Sequence, residues 1–321
     1  MLAERPRALR VEAPARLHLG FLDLDGGLGR RFGSIGLAID GLSTRVGIAP
    51  AAATHVVGVG ELDRASALLG TLADAWRLPP LRVTVEEAIP AHAGLGSGTQ
   101  LALALGVGLA RLAGRREGAR DAARLLGRGR RSGIGIGAFE QGGFLLDGGS
   151  AGDGEPPPVT ARLPFPEAWR VLLILDEARS GLHGATESGA FRALPPFPAE
   201  LAGLLCRLAL LRLLPGLALA NPAAVGSALG EIQRRVGDHF APAQGARFTS
   251  PAVSEALAWL EARGIEGVGQ SSWGPTGFAL LESEARAAAL RGEAERRFGR
   301  AGLRFLVTRG RNRGAEIAVI G

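Results

Sequence analysis

The 321-residue sequence contains no lysine and no tyrosine, one cysteine and one methionine, and only 5% aromatic residues. Each shortage excludes something. With arginine as the sole strong base, the isoelectric point near 11.1 reflects guanidinium groups that never titrate. It therefore overstates the field behind a net charge of +6. The densest basic stretches, Arg111 to Arg131 and Arg309 to Arg313, have no interleaved aromatics to stack on bases. They read as solvated helix faces and not as a nucleic-acid surface. A single cysteine, Cys206, excludes an internal disulfide, and its apolar neighbourhood reads as a packed thiol. The five histidines and Cys206 show no close ligand spacing, which excludes a structural zinc. No apolar run is long and uninterrupted: the longest, Leu201 to Ala220, is broken by Arg207, Arg212 and Pro215. Met1 to Arg10 has basic residues with no apolar stretch after them, so the expectation is a cytoplasmic protein with no membrane span.

What is present is enough for a large core. At 46% hydrophobic, the length suggests two domains, and the 49 glycines follow no collagen-like period. Short β-type runs, including Leu17 to Leu24 and Ile35 to Ile39, open the chain between glycine turns and predict an antiparallel sheet. Helical spacing from Leu62 to Leu72 precedes a strand at Leu81 to Val85, and Leu101 to Ala113, apolar on nearly every face, predicts a buried helix. A helix is expected over Asp121 to Arg131, and a turn feeding a core strand over Gly133 to Gly149. The Gly- and Pro-rich segment Ser150 to Pro158 reads as a linker, which divides the chain into 1–155 and 156–321. Beyond it come a strand at Val171 to Leu175, a helix on the stripe Leu201, Leu204, Leu205 and Leu208, and a helix at Ala252 to Arg263. A strand at Gly277 to Leu281, a helix at Ala285 to Phe298 and strands at Leu303 to Thr308 and Glu316 to Ile320 complete an α+β pattern.

The chemistry is concentrated in one loop, Gly94-Leu95-Gly96-Ser97-Gly98-Thr99, set between a strand and the helix at Leu101. Unpaired N–H groups at a helix start, reached closely through glycine, favour an anion such as phosphate. Ser97 and Thr99 add hydroxyls. A tight structural turn explains such a loop about as often. It is neither a Walker A loop, which needs a lysine, nor a Gly-x-Gly-x-x-Gly fingerprint.

Three motifs in order resemble the GHMP superfamily of small-molecule kinases. Pro90 to Gly98 is similar to the superfamily's Pro-x-x-x-Gly-Leu-Gly-Ser-Ser-Ala. Ala13-Pro14-Ala15-Arg16-Leu17-His18-Leu19-Gly20 is similar to its N-terminal motif, and Ser271 to Leu280 to its C-terminal one. The resemblance implies a two-domain α+β fold, ribosomal-S5-domain-2-like and then ferredoxin-like. The departures point away from phosphoryl transfer. Gly98 stands where those kinases carry a second Ser, Ala138 to Gly143 stands where they carry a catalytic Asp, and no Lys exists. The Gly-Ser-Gly-Thr-Gln ending of the loop, with Arg16 to Leu24, Gly181-Leu182-His183-Gly184 and Gly269 to Thr276, resembles the β-ribofuranosylaminobenzene 5′-phosphate synthase branch.

That resemblance implies transfer of a ribosyl 5-phosphate from phosphoribosyl pyrophosphate to 4-aminobenzoate or 4-hydroxybenzoate, with loss of pyrophosphate and CO2, in tetrahydromethanopterin biosynthesis. A kinase acting with ATP is the alternative. The expected catalytic residues are Arg16, His18, Asp23 and Glu140. Gly94, Leu95, Gly96, Ser97, Gly98 and Thr99 would bind phosphate. His183, Gln270, Ser271, Ser272, Trp273, Gly274 and Thr276 would contact substrate. Several have plainer readings: Asp23 as a turn acceptor, His92 as a helix-entry residue, Trp273 as core, and His55 and His239 as structural. Magnesium carried with the pyrophosphate is the expected metal, with Thr99 the candidate protein ligand, and no organic cofactor is expected. The resemblance also implies a homodimer.

Overall fold

The computed structural model describes residues 8–181 and 184–320. The first sheet grows from a long antiparallel pair, β1 (Leu9–Asp23) and β2 (Phe32–Pro50). Strand β3 (His55–Gly58) leads into helix α1 (Leu62–Trp76), and β4 (Leu81–Glu87) returns between β2 and β3, parallel to β3. Helices α2 (Ser97–Leu112), α3 (Ala119–Leu125) and α4 (Ile134–Glu140) follow. Strand β5 (Phe144–Asp147) pairs with β2, and β6 (Val159–Leu163) pairs with β5. The segment 150–158 lies between β5 and β6, so the sheet takes a strand from each side of it.

The second sheet starts at β7 (Arg170–Asp176). Helices α5 (Gly184–Ala193) and α6 (Ala199–Leu208) come next, then a π-helical turn (Ala209–Leu213), α7 (Leu214–Ala218), α8 (Pro222–Gln244) and α9 (Pro251–Glu261). Strands β8 (Val268–Gln270) and β9 (Gly277–Leu281), helix α10 (Glu284–Phe298) and β10 (Leu303–Thr308) complete it. The order β10-β7-β9-β8, antiparallel throughout, with helices in both crossovers, is the ferredoxin-like arrangement. The last strand, β11 (Glu316–Val319), returns to the first sheet and pairs with β1.

A register shift between Pro14 and Arg16 changes the face that the odd residues of β1 take, so the first half of the β1–β2 pair packs under α1 and α2 and the second half towards α6 and α8. Val11, Ala13, Val46 and Ile48 pack with Leu69, Leu72, Leu103 and Leu105. Leu17, Leu19, Ile35 and Leu37 pack with Leu205, Leu213, Leu229 and Ile232. Gln233 on α8 ties the two halves: its Nε2 donates to Leu19 O at 2.6 Å and its Oε1 accepts from Gln270 N at 2.8 Å.

The structure departs from the sequence expectations at four places. The helix expected through Arg131 stops at Leu125, because Gly127 and Gly129 take positive φ values of 63° and 75°. The expected turn after Gly133 contains helix α4. Its glycines press against neighbours: a Cβ on Gly135 would stand 2.8 Å from Thr99 Cγ2. Helix α8 went unassigned, although Asn221 caps it through Ala224 N, Pro222 opens it and Gly245 closes it in the left-handed region. Cys206 is exposed, not packed; the buried stripe of this helical run is Ala202, Leu205, Ala209, Leu213 and Leu217. Ala199–Ala218 is by length and composition long and apolar enough to cross a membrane, with a mean hydropathy of 1.7, but that stripe packs into the core.

Candidate active site

The glycine loop sits where β1, the start of α2 and the turn between β8 and β9 meet. Gly96 (φ 89°) is the N-cap of α2, and its carbonyl accepts from Thr99 N and Gln100 N. Ser97 and Gly98, the first two helical residues, have no acceptor for their N–H groups within the helix. Gly94 (φ 78°) lies so close to the β8–β9 turn that a Cβ there would stand 2.3 Å from Ser271 O. Ser271 clamps this junction: its Oγ donates to Gly94 O at 2.7 Å and accepts from His18 N at 3.0 Å.

Two side chains of β1 face the loop. Arg16 donates from its backbone to Leu95 O and from Nη1 to Gly94 O at 2.6 Å. Burial pushes its pKa down to about 10, opposed by the Glu187 carboxylate, so it remains charged at neutral pH. His18 packs its ring against Phe21, with centroids 4.5 Å apart. Burial first, and the charge of Arg16 second, push its pKa down to about 3, so its imidazole is neutral.

Among the described residues, six buried side-chain polar atoms lack a hydrogen-bond partner, and five lie in or beside this junction. They are Arg16 Nε, His18 Nε2, Gln100 Oε1, Arg128 Nε and Thr276 Oγ1. Buried polar groups are rarely left unmade, so their concentration marks a ligand site. Arg128 reaches it from the turn after α3, and Arg64 from α1. A Cβ built on Gly98 would stand 3.0 Å from Arg64 Nη1 and 3.9 Å from Arg128 Nη1. Arg64 also holds Glu61 at 2.7 Å, and Glu61 Oε1 lies 3.6 Å from His92 Nε2.

Beside His18 an aromatic wall, Phe21, Phe240 and Trp273, closes a cavity of about 30 Å³, room for one water molecule. Phe191 of α5 covers this wall, 5.2 Å from Trp273 and 5.7 Å from Phe240. Arg131 stands over Phe191 and pairs with Glu187 at 2.7 Å.

Comparison with known proteins agrees with this arrangement. Profiles described as GHMP kinases N terminal domain and GHMP kinases C terminal match residues 63–143 and 213–301. The β-ribofuranosylphenol 5′-phosphate synthase of Methanothermobacter thermautotrophicus is 31% identical, the alignment covering 96% of this chain and 98% of that one. The protein of the same name from Archaeoglobus fulgidus is 32% identical over 97% of this chain and 100% of its own length. The chain belongs to the GHMP family. Within that family it is a synthase related to these archaeal proteins. Homoserine kinase from Cytophaga hutchinsonii has the same fold, with a TM-score of 0.70 at 17% identity over 99% of both chains. Mevalonate-3-kinase from Thermoplasma acidophilum gives 0.68 at 13% identity, over 98% of this chain and 99% of that one.

Most of the residues expected from the GHMP motifs converge here, in roles that differ from one to the next. Arg16, His18, Thr276 and the loop from Gly94 to Thr99 line the junction. The Ser271 and Gln270 side chains make their hydrogen bonds inside the protein, Gln270 with Thr249 N, Gln244 and Ser272 O, while the Ser272 backbone N donates to His18 O. Trp273 is 4% exposed within the aromatic wall, and Gly274 packs its backbone on Gly181. Asp23 is not drawn to the loop; its Oδ1 accepts from Asp25 N and Gly26 N in a turn. Glu140 lies at the far end of α4 from Gly135, beside Gly314, and burial raises its pKa. Thr99 turns its methyl group onto Gly135. His183 lies outside the described residues. Arg64 and Arg128 escaped the sequence reading, although Gly127-Arg128-Gly129, an arginine between two helix breakers, was a local signal for the second.

Proposed function

We propose that this GHMP protein is a decarboxylating ribosyltransferase. It joins the ribosyl 5-phosphate of phosphoribosyl pyrophosphate to 4-hydroxybenzoate or 4-aminobenzoate, in tetrahydromethanopterin biosynthesis. The observation that carries this reading is the set of unpartnered buried donors, Arg16 Nε, Arg128 Nε and Thr276 Oγ1, gathered on a glycine-lined helix start. Such a site takes more than one anionic group. The name of the archaeal relatives supports a phenol product and so the hydroxy acid as acceptor.

In the proposed reaction the bond from the anomeric carbon to the diphosphate oxygen breaks, and both electrons leave with the diphosphate. The ring carbon bearing the carboxylate attacks the anomeric carbon, pushed by the para oxygen or nitrogen. The dearomatised ring then expels CO2, and the electron pair of the broken carbon–carbon bond restores aromaticity. No proton has to be supplied for this balance. Arg16 Nε and Thr276 Oγ1 hold the 5-phosphate against the Gly96 backbone. Magnesium arrives with the diphosphate as part of the substrate. Neutral His18 offers Nε2 to the para substituent of an acceptor stacked on Phe21 and Trp273. The cavity there must widen to admit a ring, by movement of α5 with its Phe191.

The test is a single assay of the purified protein with carboxyl-labelled 4-hydroxybenzoate or 4-aminobenzoate, phosphoribosyl pyrophosphate and magnesium. Labelled CO2 released in step with pyrophosphate is the expected result. No labelled CO2 from either acid, with ADP formed from ATP and a small alcohol, would establish a GHMP kinase instead.

A further inference from the structure

We propose that Arg64 and Arg128 form a diphosphate clamp over Gly98, holding the leaving group at the start of α2. The assignment to a leaving group rests on the ribosyl-transfer reading above; the clamp itself rests on geometry. Two guanidinium groups from elements far apart in sequence, α1 and the turn after α3, close on one glycine. Like charges at this range repel, and among the described residues the Glu61 carboxylate offsets this only in part. Glu61 pairs with Arg64 at 2.7 Å, but Arg128 Nε is buried without a partner. Burial and the charge of Arg64, in that order, hold the pKa of Arg128 below its ordinary value. The arrangement pays a repulsion that an arriving anion would relieve.

Gly98 is where the GHMP kinase motif carries its second Ser. The absence of a side chain there gives Arg64 room: a Cβ would stand 3.0 Å from its Nη1, close enough that the guanidinium would have to shift. At this position the protein has exchanged a hydroxyl for fixed positive charge. Of the two phosphate groups on phosphoribosyl pyrophosphate, the diphosphate carries more charge and gains more as its bond to carbon breaks. Preorganised guanidinium groups stabilise that developing charge best. Arg16 and Thr276, on the Ser271 side of the loop, are then left for the 5-phosphate.

Calorimetric titration of the full-length protein separates these roles without relying on turnover. The probes are inorganic pyrophosphate with magnesium and, separately, ribose 5-phosphate. Arg64→Gln and Arg128→Gln should each weaken pyrophosphate binding roughly tenfold or more, as expected for a lost charge-assisted contact, and leave ribose 5-phosphate binding unchanged. Arg64→Lys, which keeps the charge and loses the fork, should fall between. Gly98→Ser should weaken pyrophosphate binding by displacing Arg64, and its thermal melting controls for folding. Three results overturn the clamp: pyrophosphate binding unaltered in the arginine variants, ribose 5-phosphate weakened instead, or no pyrophosphate binding by the wild-type protein. If the wild type binds pyrophosphate through these arginines yet releases no CO2, the clamp stands and the ribosyl-transfer reading falls.

Discussion

His18 should make the protein lose stability on mild acidification, by an amount its burial sets. Its pKa is pushed from 6.5 in the exposed state to about 3 in the folded protein, by burial and then by the neighbouring Arg16. Between those values the unfolded chain binds a proton that the folded protein refuses. Stability therefore rises with pH across this window, and it is lost as pH falls below 6.5. The slope grows to 1.36 kcal/mol per pH unit as the unfolded imidazole becomes fully charged, so moving from pH 6.5, where it is half charged, to pH 5 costs about 1.7 kcal/mol from this residue alone, a large share of a typical total of about 5–15 kcal/mol. Urea unfolding of wild-type protein and His18→Asn at both pH values isolates the effect. Asp147 and Glu140, whose pKa values burial raises, contribute equally to both proteins and cancel in the difference. The wild type should lose about 1.7 kcal/mol more than the variant over this interval. Parallel losses in the two proteins would show that the imidazole is not buried neutral against Arg16, and would remove the basis for its role towards the acceptor.

Gly96→Val should raise the Michaelis constant for phosphoribosyl pyrophosphate. A Cβ there would stand 3.3 Å from Arg16 Cγ and Nε, at a φ of 89° that side chains resist, and an unchanged constant would refute the use of this loop. Asp147→Ala should destabilise by about 3–5 kcal/mol, read in denaturant, because the carboxylate accepts from Ser34 N, Gly133 N, Gly149 N and Ser132 Oγ in the interior. Gln233→Leu should cost about 2–4 kcal/mol by stranding Leu19 O and Gln270 N, and hydrogen exchange should rise at both strands. Trp273→Ala should cost about 3–5 kcal/mol through the loss of its packing on Phe240 and Phe191, and should weaken acceptor binding more than donor binding.

Much of the fold is legible along the chain because it rests on local signals. Short β-type runs between glycine turns marked β1 and β2, and the strand at Gly277 to Leu281 coincides with β9. The apolar run after Thr99 marked α2. Helix α4 was hidden because its glycines, which read as breakers, are there to let it lie against Thr99 and Leu145. Helix α8 was missed despite its caps, since its stripe is diluted by small and charged residues.

The sequence by itself determined that a glycine-rich loop opens a buried helix and that Arg16 and His18 share one face of a strand. Those are properties of neighbours along the chain, set by backbone geometry. Only the tertiary structure decided what stands around the loop. Ser271, read as a substrate contact, uses its hydroxyl on Gly94 and His18, because β8 is tied to β1 through Gln233. Glu140 is carried away from the loop by the length of α4, and Arg64 and Arg128 arrive from α1 and from the turn after α3, whose packing no local pattern encodes. Charge at a site is a sum over space, and sequence distance says nothing about which terms enter it.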